Sequence, residues 1–316
     1  MTFAPSSRDG LLCCEVGRAR FAFRSADVRH VERAEYMRPD RDDHGRIGML
    51  RLGGQQVPVF ALGNVLGTTR DEARPPGSEG HIAVTGDRNA LTGWLVDRIA
   101  RAAQPSPGDI AALPPITGPQ AASWFEGLVW LGDDESALLL APHHLNATAA
   151  PATLRDGISA FTPPRSIAAA EPEPVAIVFS TTALPAWDVR RYALSGRQIA
   201  AIIQPTAPIT VPGCHDHVEG VTWWRRSAVP VVDFRARSER HGTAPGRRLI
   251  AHCGSGSLVA FSVEPEVMMC RPTPDHRFLP AVTCPPFASG VFDVNGEAVA
   301  LLDLEALLMQ GHRQTA

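Results

Sequence analysis

The chain carries one pattern twice, about 170 residues apart, so whatever fold it adopts must be solved once and then repeated. In the first copy Phe21, Ala22 and Phe23 lead to Val28 and Val31; in the second Tyr192, Ala193 and Leu194 lead to Ile199 and Ile202 at the same offsets. Gly48 stands ten residues before Pro58, within QVPVFAL, and Gly220 stands ten before Pro230, within AVPVVDF. Two apolar runs follow in each half: HIAV and LTGWLVD ending at Asp97, then RLIAH and SLVAFSVE ending at Glu264. Each copy closes on a Phe- and Gly-bearing run around Gly127 or Gly290 and a last apolar run, ALLLA or AVALLDL, and the second adds LEALLMQ with helical spacing.

Period-2 patterning, β-branched residues and closely spaced turn residues make this a mainly β chain. Asn295-Gly296 is the clearest hairpin turn. Many short strands with long connections point to small barrels, whose closure removes open sheet edges. Pro58 and Pro230 have no N–H to give a ladder, and are expected on an edge strand or at a strand start. A chain of 316 residues exceeds what one core usually supports. The repeat divides it into a domain over 8–146, an Ala/Pro-rich linker over 147–172 and a second domain over 173–312. The similar stretch Ala100 to Ala122 reads as a long loop inside the first domain.

Composition excludes some chemistries. All 30 basic residues are Arg. Without Lys there is no Schiff-base mechanism and no P-loop. The net charge of -3 leaves no electrostatic footprint for nucleic acid or anionic membrane. Cysteines at 13, 14, 214, 253, 270 and 284 form no CxxC pair, as for buried thiols in a reducing compartment. No basic-then-apolar leader opens the sequence and no run approaches the roughly 18 apolar residues of a span, so the expected location is the cytoplasm. The sequon at Asn146 is then expected to go unused.

The order of these features resembles the family of the chemotaxis coupling protein CheW. The likeness covers nearly all of both halves. The family's central signature, approximately G-V-x-N-L-R-G-x-x-V-P-V-x-D-L, is similar to GMLRLGGQQVPVFAL (Gly48 to Leu62) and GVTWWRRSAVPVVDF (Gly220 to Phe234). The resemblance implies two tandem CheW-like domains, each a pair of SH3-like five-stranded β-barrels with short helices. It also implies a non-catalytic adaptor without cofactor, joining a chemoreceptor cytoplasmic tip to the regulatory domain of a CheA-type histidine kinase, or to further CheW-like domains. The family's signature Arg is kept as Arg225 and replaced by Gly53 in the first copy; the Gly after it is Gly54 in the first copy and Arg226 in the second. His30 and Ala201 stand where Glu is usual, and the final Asp kept as Asp303 is missing from Leu140-Ala141-Pro142.

The candidate partner-binding residues are Arg225, Trp223, Trp224, Val28, Val31, Ile199 and Ile202. Trp and Arg are favoured at binding hot spots. Strand alternation turns one of the adjacent Trp residues inward and the other outward. The four aliphatic positions are core positions first, and by resemblance they border the partner groove. A rival reading takes Cys214-His215-Asp216-His217, with Cys253, as a metal site of a β-barrel enzyme, although no second ligand cluster accompanies it. An adaptor for a kinase pathway outside chemotaxis is a third reading. Gly254-Ser255-Gly256-Ser257 reads as a tight turn and not a phosphate loop, and His143-His144 as a solvated turn.

Overall fold

A computed structural model describes residues 10–42, 44–68, 80–87, 90–132, 135–148, 175–184, 189–235, 246–254, 256–271 and 285–313. The chain is mainly β. Its first half forms β1 (Leu11–Val16), β2 (Ala19–Arg24), β3 (Val28–Arg33), β4 (Arg38–Pro39), β5 (Arg46–Leu52), β6 (Gln55–Ala61), β7 (His81–Asp87), β8 (Ala90–Val96), β9 (Arg98–Ala103), β10 (Ile110–Ala111), β11 (Phe125–Gly132) and β12 (Glu135–Leu140). Its second half forms β13 (Ala176–Ser180), β14 (Arg191–Ser195), β15 (Ile199–Ile203), β16 (Val218–Trp224), β17 (Ser227–Val232), β18 (Arg247–Cys253), β19 (Ser257–Val263), β20 (Val267–Cys270), β21 (Ala288–Val294) and β22 (Glu297–Leu302). The helices are short: α1 (Leu62–Leu66), α2 (Pro119–Trp124), α3 (Pro142–Thr148) and α4 (Leu304–Arg313). The described residues fall into two compact units, one taking in the first half with segments 209–214 and 223–228, the other the rest of the second half.

Each repeat nests one sheet inside another. In repeat 1 the outer sheet runs β10-β11-β12-β2-β1-β9 and the inner sheet β3-β7-β8-β6-β5-β4; in repeat 2 the outer runs β20-β13-β14-β22-β21 and the inner β15-β18-β19-β17-β16. The inner sheet is thus contiguous in sequence and interrupts the outer one. The last strand of each repeat returns to pair in parallel with its second, Leu138 opposite Phe21 and Ala300 opposite Tyr192. Repeat 2 has the expected five strands per sheet; repeat 1 has six, because the two-residue strands β4 and β10 add to it.

The alternation seen in sequence is the burial pattern. Leu11, Cys13, Ala22, Val129, Ala137 and Leu139 form the outer core of repeat 1, and Met37, Leu50, Val57, Val59, Ile82 and Val84 the inner. Ala176, Val178, Ala193, Phe292, Val294 and Val299 repeat the outer core in the second half. Trp94 is wholly buried and its indole N–H donates to Thr85 Oγ1 at 2.9 Å, which satisfies the one polar atom it carries inside. The Asn295-Gly296 turn adopts φ of 57° and 85°, as a type I′ hairpin demands. Gly254 and Gly256, at φ 48° and 93°, make the turn from β18 to β19; Ser255 lies outside the described residues.

Two expectations are corrected. Pro58 and Pro230 lie in β6 and β17, interior strands, not edges. The Pro58 carbonyl faces β8, 3.6 Å from where a Cβ on Gly93 would stand. A residue's N–H shares that side, and the parallel ladder with β8 runs over Val59 to Ala61, so the missing donor falls at its threshold and leaves the β5 ladder whole. The stretch Ala100 to Ala122 is not one loop. It holds the end of β9, β10 and most of α2, whose Ala- and Pro-rich composition hides short elements that borrow their stability from neighbours. The linker over 147–172 lies outside the described residues except for the end of α3. No described helix is long and apolar enough to cross a membrane.

Candidate partner-binding surface

Shared registers make the two repeats comparable strand by strand. Val28 faces Thr85 and Val31 faces Ala83 across β3–β7; Ile199 faces Ala251 and Ile202 faces Leu249 across β15–β18. Among the described residues β3 and β15 each end their sheet. Val28, Val31, Ile199 and Ile202 are accordingly half-buried, and not core positions, because an edge strand has a neighbour on one side only.

The edges differ in charge. On β3, Arg29 donates to Gly86 O at 3.0 Å and reaches Asp87 at 3.7 Å, and His30 Nε2 lies 3.2 Å from Glu32 Oε2. Partial burial pushes the Glu32 carboxyl up, yet hydrogen bonds from the Arg33 N–H and His30 outweigh it and hold it below its ordinary value. Charges of this kind keep an edge from pairing with another chain. On β15 the residues are Ile199, Ala200, Ala201, Ile202 and Ile203, all half-buried and none charged. The other pair of edges follows suit, with Arg98 and Arg101 on β9 against Val267, Met268, Met269 and Cys270 on β20, where Met269 is 69% exposed.

The hairpin from β16 to β17 carries the remaining candidates. Trp223 and Trp224 are both half-buried, so neither enters the core. Burial along β16 ends at Thr222, before the strand runs out into its turn. The exposed Arg225 guanidinium lies 4.8 Å from the centre of the Trp224 ring, within cation–π range. Arg225 and Arg226 have φ of 46° and 64°, where repeat 1 has Gly53 and Gly54 at 56° and 87°. The same left-handed turn is made by the residues that tolerate it in one repeat and by two arginines in the other. Gly48 and Gly220 are buried on the strands entering these turns, and a Cβ on Gly48 would collide with Met37 and the Arg38 carbonyl.

Sequence patterning missed Arg248. It is 1% exposed within the inner sheet of repeat 2. Its guanidinium donates to Ser262 Oγ at 2.9 Å and to Thr206 O at 3.1 Å, and Glu219 lies 3.9 Å away. Burial draws its pKa below the usual Arg range, while Glu219 and Asp233 oppose the shift. Asp233, itself buried, is held by Arg235 Nη2 at 2.7 Å. The available signal was the aligned strands: His81-Ile82-Ala83-Val84 occupies the register of Arg247-Arg248-Leu249-Ile250, putting a charge where alternation requires an apolar side chain.

The metal reading finds a different arrangement. The His217 ring is stacked between His215 at 5.6 Å and Phe234 at 5.5 Å, nearly parallel to both. Among the described residues no three His, Cys, Asp or Glu side chains converge as a metal site. Burial first, then Glu305 and Asp303, push the Cys253 thiol up to about 11, which keeps it protonated at neutral pH. His143 and His144 sit on α3 in tilted contact, not in a turn.

Nested β-sheets given twice define a tandem, mainly β protein. A model of the CheW-like domain matches residues 10–149 and again 187–312, and the chain belongs to that family. Among solved structures it is similar to the scaffolding protein TtCheW from Thermoanaerobacter tengcongensis, at 17% identity and a TM-score of 0.38 over 44% of this chain and 88% of that one. No curated protein matches it.

Proposed function

We propose that this chain is a non-catalytic coupling adaptor of a chemotaxis-type two-component pathway, working in the cytoplasm. It joins a chemoreceptor cytoplasmic tip to the regulatory domain of a CheA-type histidine kinase, and further CheW-like domains are its other natural partners. The observation that carries this reading is the uncharged edge strand β15. Ile199 and Ile202 stand on it where the family resemblance puts the partner groove, in the repeat that keeps Arg225. An open edge offers main-chain hydrogen bonds, and its side chains select the partner. Repeat 1, with Gly53 in place of the Arg, serves as the structural or self-associating module. Linking the two raises the effective concentration of the second contact once the first has formed. His30 and Ala201, which replace the usual Glu, favour a diverged partner set, including a kinase pathway outside chemotaxis.

The test is surface-immobilised full-length protein against the kinase regulatory domain and the receptor tip from the same host. Arg225→Glu and the double variant I199E/I202E are each expected to weaken binding by about ten-fold or more, as for hot-spot residues. Unchanged affinity in both variants removes the site assignment. Zinc held in stoichiometric amount by a chain that binds neither partner favours the metal reading of His215 and His217.

A further inference from the structure

The two ends of the inner sheet are linked by different means in the two repeats. In repeat 1, Ile47, Leu50, Ile82 and Leu95 all belong to one apolar cluster. The paired registers, and the common spacing from Gly48 and Gly220, put Glu219, Thr222, Arg248 and Ser262 in the same four places of repeat 2. Four apolar residues in contact have become four polar residues, three of them joined through one guanidinium or within 3.9 Å of it. The fourth, Thr222, meets Thr206 hydroxyl to hydroxyl at 3.2 Å, and the Thr206 carbonyl accepts from Arg248.

These contacts join the two ends of one sheet. Thr206 follows the end of edge strand β15, whereas Glu219 and Thr222 lie on β16, the strand at the opposite end of the order β15-β18-β19-β17-β16. In repeat 1 the backbone itself runs from one end of the sheet to the other. A 3-10 turn over Ala34–Tyr36 follows β3, and β4 then pairs on β5 with Arg38 opposite Met49 and Pro39 opposite Gly48. In repeat 2 the stretch after β15 has no helical turn and only a single bridging residue, Ile209. A buried polar cluster is seldom more stable than a well-packed apolar one, so stability does not explain the change. Nor is the cluster saturated: Arg248 Nε is buried without a hydrogen-bond acceptor among the described residues, as though the fork were turned to reach Thr206 and Ser262 at the expense of its third donor.

We infer that Arg248 is a positioning residue: with Glu219, Thr222 and Ser262 it clasps the exit of β15 to β16, holding the open edge in place against the far end of its own sheet. The inference rests on the adaptor reading for its purpose, but its geometry can be tested without a partner. The guanidinium sets a distance and direction that interchangeable apolar contacts would leave loose, which is the attested use of buried polar groups. The edge is presented in one position instead of several.

The decisive variant gives repeat 2 the residues of repeat 1, E219I/T222L/R248I/S262L, in the full-length chain. Melting of the second repeat is expected to stay where it is or rise. Hydrogen exchange of amides 199–208 should speed up about ten-fold or more, with the rest of repeat 2 unmoved. Affinity for whichever partner the wild-type chain binds should fall by a similar factor of about ten. Thr222→Val and Ser262→Ala each delete one anchor at nearly constant volume, and give the same shifts on a smaller scale if the quadruple variant does not fold. Unchanged exchange over 199–208 in variants that fold overturns the clasp. Binding of neither kinase nor receptor by the wild-type chain defeats the adaptor reading instead, and leaves exchange to decide the role of Arg248.

Discussion

Repeat 1 and repeat 2 share strand order and register, yet they differ in inner core, in hairpin turn and in edge strands. Repeat 1 has an apolar inner core, glycines in its left-handed turn, and arginines on its open edges. Repeat 2 has a buried guanidinium, arginines in the turn, and aliphatic or Met side chains on its edges. Each difference places in repeat 2 the residue less favourable to stability or solubility. The comparison is what motivates the proposed division of work, in which repeat 2 presents the partner surface and repeat 1 supports it.

The largest effect should come from forcing repeat 1 to accept what repeat 2 carries. Ile82→Arg buries a guanidinium against Leu50, Val57 and Val84 with no carboxylate on Ile47's strand position to meet it. Loss of about 4 kcal/mol or more is expected, enough to unfold the repeat, because an unpaired buried charge is among the costliest changes. Calorimetry that resolves two transitions would show the first vanish while the second stays. If Ile82→Arg is tolerated, the inner cores are not distinguished by polarity and the contrast fails.

Exchanging the turns comes next. An L-residue in the left-handed region costs roughly 1–2 kcal/mol. Replacing Arg225 and Arg226 by Gly should therefore stabilise repeat 2 by about 2 kcal/mol in all, and placing Arg at positions 53 and 54 should destabilise repeat 1 by a similar amount. Denaturant midpoints with unchanged slopes would register both. Binding in the Gly-Gly variant should weaken, since Arg225 is lost; a gain in stability with no loss in binding would show the arginines to be incidental.

The smallest effect concerns alkaline pH. Cys14 is fully buried, and burial first, then Cys13 and Glu15, push its thiol well above the ordinary value of about 9. Above that value the unfolded thiol releases its proton while the folded one keeps it, so the folded state binds more protons and stability falls as pH rises. The limiting slope is about 1.4 kcal/mol per pH unit for one thiol. Phe179 occupies the equivalent place in repeat 2, so Cys14→Ala should flatten the alkaline limb of repeat 1 alone. In repeat 2 the Cys253 thiol, pushed to about 11, supplies a limb that ends sooner.

Much of the fold was legible because period-2 burial leaves a direct trace in sequence, as Val57 with Val59 and Ile82 with Val84, two apart and in one core, show. Asn295-Gly296 was legible because its dihedrals admit few residues. Pro58 misled because local chemistry gives the missing donor but not which neighbour, β5 or β8, would have received it. The elements between Ala100 and Ala122 were hidden by composition. Of the candidate surface, Arg225 could be found from its motif, whereas the edge character of β15 depends on strand order, a property of the whole sheet. Arg248 escaped since a charged letter beside an apolar run reads as the strand's solvent end, and its burial follows only from the register with Ser262.

The nesting of one sheet within another also sets an order of events in time. Residues 28 to 96 contain every strand of the first inner sheet, so that sheet can assemble as soon as this stretch leaves the ribosome. The outer sheet cannot, because Phe21 waits for Leu138, more than a hundred residues later in synthesis. Contacts this distant in sequence slow folding. Until β9 or β20 is made, β1 and β2, or β13 and β14, are a lone hairpin, and even then they lack the parallel neighbour that completes their sheet. Once residues up to 124 or 287 have left the ribosome, the chain should therefore hold a finished inner sheet and an unfinished outer one, a state in need of a chaperone.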